Sequence, residues 1–341
     1  MEKKAAPKQR RVRPARLPSN RAKRDSFKAD NILVPLDFSR ASFKALEYAL
    51  PLAKRFGAKL HLVHAFDYDY PMSTFSAMPV AIPESEIASR AQRRLQDVAK
   101  KYAIVLAPEN CHVVKGRAYH AICQLARTLE TDLIVTTTRG HTGLRHVLLG
   151  STAERIVQHA PCGVLVVREH EREFVRATEG AAKSKGAIRW KKILVPLDFS
   201  DCSIAGLESA VRVAQVWGAE LVTFNCVPLQ TFAVYGEYGG RDSTALTSYA
   251  QKAAKEQMNE VVSSLKSQNI IAEGVIELGA PAQAICDYAR NNEVDLIVTA
   301  THGSTGLTHV LIGSTAEHIV RYAHCPVLVM PSHARGGNAN D

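Results

Sequence analysis

The sequence lacks most of what would tie it to a secreted, membrane-spanning or metal-dependent class. Its seven cysteines (Cys111, Cys123, Cys162, Cys202, Cys226, Cys286 and Cys325) are odd in number and form no C-x-x-C pair, which argues against a disulfide framework or a structural zinc site. They read as reduced thiols serving as small hydrophobes; Cys123 and Cys286 both close an Ala-Ile-Cys triplet, a recurrence that fits packing better than redox chemistry. No apolar run approaches the ~20 residues of a membrane span, and no charged, apolar and cleavable leader opens the chain, so a soluble, cytoplasmic protein is expected. Thirteen histidines are scattered without metal spacing such as H-E-x-x-H, although His141, His146, His302 and His309 gather near glycine-rich segments. A G-x-S-x-G elbow for a serine nucleophile is missing. No lysine precedes the serine of any glycine loop, unlike a Walker A motif, so strong phosphoryl-transfer catalysis is not expected.

Excess positive charge is present but local. Of the net +10, residues 1–28 carry +9, with eleven Lys and Arg against Glu2 and Asp25. Pro7, Pro14 and Pro18 and the scarcity of large apolar residues predict a disordered basic tail over 1–28. Such a tail serves either as an arm for a polyanion, nucleic acid or anionic lipid, binding through counterion release, or as a solubilising extension. Its one aromatic residue, Phe27, stands at the end of the stretch, so none is interleaved among the basic residues to stack on bases.

What is abundant is repetition. Gly143 to Glu154 (GLRHVLLGSTAE) returns 163 residues later as Gly306 to Glu317 (GLTHVLIGSTAE), and Ile32 to Ser39 (ILVPLDFS) recurs unchanged as Ile193 to Ser200. The chain is one module written twice. Its length fits two domains, placed at 29–168 and 189–332, each large enough for its own core. Residues 169–188 read as a linker, and 333–341 as a flexible C-terminus.

Within each copy, apolar strands alternate with helical segments. The first runs from a strand at 32–36 through a helix at 39–56, which Pro51 is expected to kink or shorten, to a closing strand at 163–167. Strands separated by 10 to 20 residue helices require crossovers, hence an α/β class: two tandem doubly wound domains, each a mainly parallel sheet with helices on both faces.

In such sheets ligands bind beyond the carboxyl ends of the strands, and both repeated segments fall there. Asp37 and Asp198 follow the first strands and are read as ligand contacts, with N-capping as the structural alternative. The fourth strands end in Thr136-Thr137-Thr138-Arg139-Gly140 and Thr299-Ala300-Thr301-His302-Gly303. After nine intervening residues come Gly150-Ser151-Thr152 and Gly313-Ser314-Thr315, each opening a helix. Glycine lets the backbone approach a ligand, and the free N–H groups and positive end of the helix favour an anion. The structural alternative makes each glycine a turn residue and Ser151 or Ser314 an N-cap, in a capping box with Glu154 or Glu317.

These motifs resemble the universal stress proteins in their tandem form. The nucleotide-binding branch carries G-x2-G-x9-G-[ST], whose last two glycines and hydroxyl residue match in both copies, together with the V-P-x-D strand. The resemblance implies Rossmann-like domains of strand order 3-2-1-4-5 that hold ATP, with or without Mg2+, between strands 1 and 4. Carried over, Pro35, Asp37 and Ala65, or Pro196, Asp198 and Cys226, lie toward adenine and ribose. Thr136, Thr137, Gly140, Gly150, Ser151 and Thr152, or Thr299, Ala300, Gly303, Gly313, Ser314 and Thr315, lie toward ribose and phosphates. The motif's first glycine is Thr137 in copy one and Ala300 in copy two. Threonine is β-branched and stiff, so copy two is the expected binder. The resemblance further implies pairing of the two domains within the chain through the closing strands, Val164 to Val167 and Val327 to Met330, with a homodimer left open. The resulting expectation is an ATP- or adenine-nucleotide-binding regulator in a stress response, the nucleotide acting as a conformational or partner switch. A slow nucleotide hydrolase and a polyanion-binding scaffold acting through the tail are the alternatives.

Overall fold

A computed structural model describes residues 29–67, 83–102, 108–138, 150–168, 175–176, 187–228, 243–301 and 312–331. The basic tail, the 333–341 terminus and most of the loop after residue 67 lie outside these residues.

The first module runs β1 (Asn31–Pro35), α1 (Arg40–Phe56), β2 (Lys59–Phe66), α2 (Glu84–Lys101), β3 (Cys111–Lys115), α3 (Ala118–Thr128), β4 (Leu133–Thr137), α4 (Ser151–His159) and β5 (Gly163–Val167). The second repeats the order as β8 (Lys192–Pro196), α5 (Asp201–Trp217), β9 (Glu220–Pro228), α6 (Ser243–Ser267), β10 (Ala272–Gly279), α7 (Pro281–Asn291), β11 (Leu296–Ala300), α8 (Ser314–Tyr322) and β12 (Val327–Met330). Between them, β6 (Val175–Arg176) and β7 (Ala187–Ile188) pair antiparallel inside the stretch read as linker. Two-residue strands are too short to carry a periodicity, which is why the sequence did not announce them.

Strand order is β3-β2-β1-β4-β5 in one half and β10-β9-β8-β11-β12 in the other, the 3-2-1-4-5 arrangement in both. All pairings within a module are parallel. With right-handed crossovers this order puts α1 and α2 on one face and α3 and α4 on the other, and the winding reverses between β1 and β4. Strands covered on both faces must be apolar throughout. Accordingly β4, β5 and β11 are buried along their whole length. Pro51 does not shorten α1, which continues to Phe56 with Leu52 and Ala53 buried beyond it. Burial of that face outweighs the one hydrogen bond proline cannot make.

The two modules share a single ten-stranded sheet because β5 and β12 pair antiparallel, Val164 with Val329, Leu165 with Leu328 and Val166 with Val327. Leu165 and Leu328 hold the same position in the two copies, so a pseudo-two-fold axis passes between them. Gly163 admits this seam: a Cβ there would sit 3.1 Å from Met330 Sδ. A second contact lies where the ends of α1 and α5 meet. Phe56 and Trp217, again the same position in each copy, make an edge-on contact at 5.6 Å. Arg55 lies over the Trp217 ring and donates to the Val216 carbonyl, and Trp190 packs against Trp217 with 4.6 Å between centroids and the rings tilted by 43°.

Candidate functional site

At the switch point of the first module the strand ends and three helix starts line a cavity of about 210 Å³. Pro35, Leu36 and Asp37 enter from the end of β1, Val63 and Ala65 from β2, Thr136 and Thr137 from β4, and Gly150, Ser151, Thr152 and Ala153 from the start of α4. Ser42, Ala118, Ile122 and Ile156 complete the wall. Eight residues singled out in the sequence for this copy therefore meet around one space; Gly140 lies outside the described residues. The wall residues that sequence reasoning missed, Val63 and Ile122 among them, look like ordinary core. Only the β2 alternation that selects Ala65 could have drawn attention to Val63, two positions earlier on the same face.

The aspartate, the serine after it and the glycine of the helix start each also have a structural task. Asp37 Oδ1 accepts the Ser39 N–H at 2.9 Å, while Ser39 caps α1 by accepting the Ser42 N–H. The second module repeats this with Asp198, Ser200 and Ser203. Between aspartate and serine the backbone is left-handed at an aromatic residue, φ 62° at Phe38 and 59° at Phe199. A bulky residue in that region costs of order 1–3 kcal/mol and is characteristic of ligand-binding turns. The Phe38 ring is held between His64, 4.7 Å between centroids, and the Arg94 guanidinium at 4.2 Å. His64 Nδ1 is 2.7 Å from the Leu36 carbonyl, so that nitrogen carries the proton.

The helix start departs from the capping-box alternative. Gly150 is the N-cap of α4 and Gly313 that of α8, neither with a side-chain cap, because glycine has no side-chain acceptor. Ser151 and Ser314 are the first helical residues instead. Gly150 N–H donates to the Thr138 carbonyl at 2.7 Å, and Gly313 N–H to Thr301 at 2.8 Å. The next three N–H groups of α4 belong to cavity-lining residues at the positive end of a helix, an arrangement suited to an anion.

Cations gather around this end of the first module. Arg40 opens α1, Lys115 ends β3 and pairs with Glu84 at 2.6 Å, and Arg117 precedes α3. Arg155 lies one turn into α4, its guanidinium 4.9 Å from the Tyr119 ring of α3.

In the second module Pro196, Asp198, Cys226, Thr299, Ala300, Gly313, Ser314 and Thr315 occupy the equivalent strand ends and helix start; Gly303 lies outside the described residues. Burial pushes the Cys123 and Cys286 thiols up to about 11, which keeps both protonated and inert. Among the described residues no three His, Cys, Asp or Glu side chains gather as a metal site, and no helix is long and apolar enough to cross a membrane.

The model of the universal stress protein family matches residues 28–168 and again residues 189–331. The chain belongs to the universal stress protein family. It is 30% identical over 141 residues to a universal stress protein of Methanocaldococcus jannaschii, covering 41% of this chain and 82% of that one. Against a universal stress protein of Thermus aquaticus it is 33% identical over 138 residues, 40% of this chain and 97% of that one. A universal stress protein structure from Archaeoglobus fulgidus covers 90% of the chain and is itself covered completely, with a TM-score of 0.60 at 20% identity, so the two share the tandem fold over that part of the chain.

Proposed function

We propose that this universal stress protein is an adenine-nucleotide-binding regulator, with ATP and magnesium as its ligand and the bound nucleotide setting conformation or partner choice under stress. One observation carries the reading: Asp37, Thr136, Thr137, Gly150, Ser151 and Thr152, from three separate segments, line one cavity at the switch point of a doubly wound sheet. At about 210 Å³ the cavity is smaller than the roughly 300–1,000 Å³ of sites that enclose a drug-sized ligand. It takes the base and ribose, and the phosphates run out over the start of α4 toward the surrounding cations. No lysine stands where a P-loop places one, so the role is binding and not rapid phosphoryl transfer.

Isothermal titration calorimetry of the intact chain with ATP and magnesium tests this directly. Saturable binding is expected, and its absence at millimolar ATP ends the reading. The basic tail supplies a second, separable function, attachment to a polyanion. Deleting residues 1–28 is expected to abolish salt-sensitive binding to RNA without changing ATP affinity; unchanged RNA binding removes the tail from the account.

A further inference from the structure

The two modules have the same strand order and register, so each cavity residue of the first has an identifiable counterpart in the second. Most counterparts are identical or nearly so: Leu36 and Leu197, Ser42 and Ser203, Ile122 and Ile285, Ala153 and Ala316, Ile156 and Ile319. One differs greatly in size. Val63, paired with Pro35 on the neighbouring strand, becomes Phe224, paired with Pro196. Phe224 is only 1% exposed, and its ring centroid lies 5.1 Å from that of Tyr288 on α7, which stands where the first module has Leu125 on α3. An aromatic ring thus rises from the floor where the first module has an isopropyl group and open space. Two further exchanges act in the same direction, Ala65 to Cys226 and Ala118 to Pro281. Only Thr137 to Ala300 removes volume, a single small side chain against a whole ring.

We propose that Phe224, held by Tyr288, plugs the second module's cradle, so that the chain carries one nucleotide site, in the first module, and the second module is its structural counterpart. This rests on the nucleotide reading above and reverses the expectation drawn from Ala300. Threonine at 137 is compatible with a cavity because it stands in the wall, 6% exposed, while the floor below the base decides whether space exists at all. A ring in van der Waals contact with its neighbours is not displaced by a ligand without leaving those contacts unmade.

Calorimetry with ATP and magnesium on the full chain separates the outcomes. The expected stoichiometry is one ATP per chain, abolished by Gly150→Val and unchanged by Gly313→Val. Phe224→Val should raise it to two. Because the single truncation leaves Tyr288 without its packing partner, Phe224→Val/Tyr288→Leu, which rebuilds the Val63 and Leu125 pair, is measured alongside, with thermal melting as the check of folding. Two sites in the wild-type chain would overturn the plug while leaving nucleotide binding intact, as would loss of the site in Gly313→Val. A folded double variant that still binds one ATP would show that Phe224 is not the determinant. No binding in any variant would refute the nucleotide reading itself, and the plug with it.

Discussion

The two modules agree at the turns, helix starts and seam strands that set the sheet, and they differ at several positions that face the cavity or solvent. Asp37 and Asp198 both close the turn ahead of a helix, and Gly150 and Gly313 both start one while donating to the end of the fourth strand. Val164 to Val166 and Val327 to Val329 are both needed to build the seam. In contrast, Val63 has become Phe224, Arg40 Asp201, Lys115 Leu278, Arg117 Ala280 and Arg155 His318. The lesson concerns motifs: the repeated glycine, serine and aspartate have structural work in both copies, so their recurrence alone does not show that both copies bind. The residues without such work carry the distinction.

The largest expected effect comes from paired substitutions at the helix starts. Gly150 and Gly313 have φ of −62° and −61°, values any residue adopts, so valine is tolerated by the backbone at both. Gly150→Val puts a branched side chain in the cavity and should abolish calorimetrically detectable ATP binding, a loss of at least about 100-fold or about 2.7 kcal/mol, whereas Gly313→Val should leave it within about twofold. Equal losses in a titration series would erase the distinction between the modules. Val63→Phe, the converse of opening the second cradle, should abolish binding and carry an overpacking cost of about 1–3 kcal/mol in a urea melt. Retained ATP affinity in that variant would show that the floor is not limiting.

Much of this frame was legible in the chain itself. The eight-residue repeat gave the modules, the alternation of apolar strands with 10 to 20 residue helices gave a parallel sheet, and the glycine spacing put Gly150 to Thr152 at the correct helix start. Two features of the site were not legible, for physical reasons. Whether Ser151 or Gly150 caps α4 depends on one residue's backbone angles, and a serine followed three positions later by glutamate fits either answer. The size of each cavity depends on Val63 and Phe224, both of which read as buried apolar strand residues; what they face is settled only by register and by the helix packed opposite.

A further difference gives the first module a buried, acid-sensitive histidine pair. His61, 6% exposed, has its Nδ1 3.2 Å from His112 Nε2, whereas the second module carries Val222 and Val275 at these positions. Burial, then the His112 and Lys59 charges, lowers the His61 pKa to about 4. Burial lowers that of His112 as well. Between pH 6.5 and about 4 the unfolded chain binds a proton at His61 that the folded chain does not, so ΔG of unfolding falls as pH falls through this window and levels off below it. The expected loss from His61 is on the order of 3 kcal/mol. Urea denaturation of His61→Val at stepped pH should show a shallower slope between 6.5 and 4. An unchanged slope would locate the acid sensitivity elsewhere.

The smallest expected effect concerns the surface around each site. Arg117 immediately precedes α3 beside the cavity-lining Ala118, and its counterpart is Ala280; Arg40 opens α1, where the second module has Asp201. Solvent-exposed cations near a phosphate chain contribute little individually, of order 0.3–1 kcal/mol, and salt screens them, since the Debye length falls from about 10 Å at 0.1 M to 3 Å at 1 M. Arg117→Ala should therefore weaken ATP binding about two- to fivefold at low ionic strength and scarcely at all at 1 M salt. Asp201→Arg should leave binding unchanged under both conditions, because the charge it supplies stands over a cradle already filled by Phe224. If that substitution instead produced a second, salt-sensitive binding event, the barrier in the second module would be its charge and not its floor, and the contrast between the two copies would have to be redrawn around Asp201.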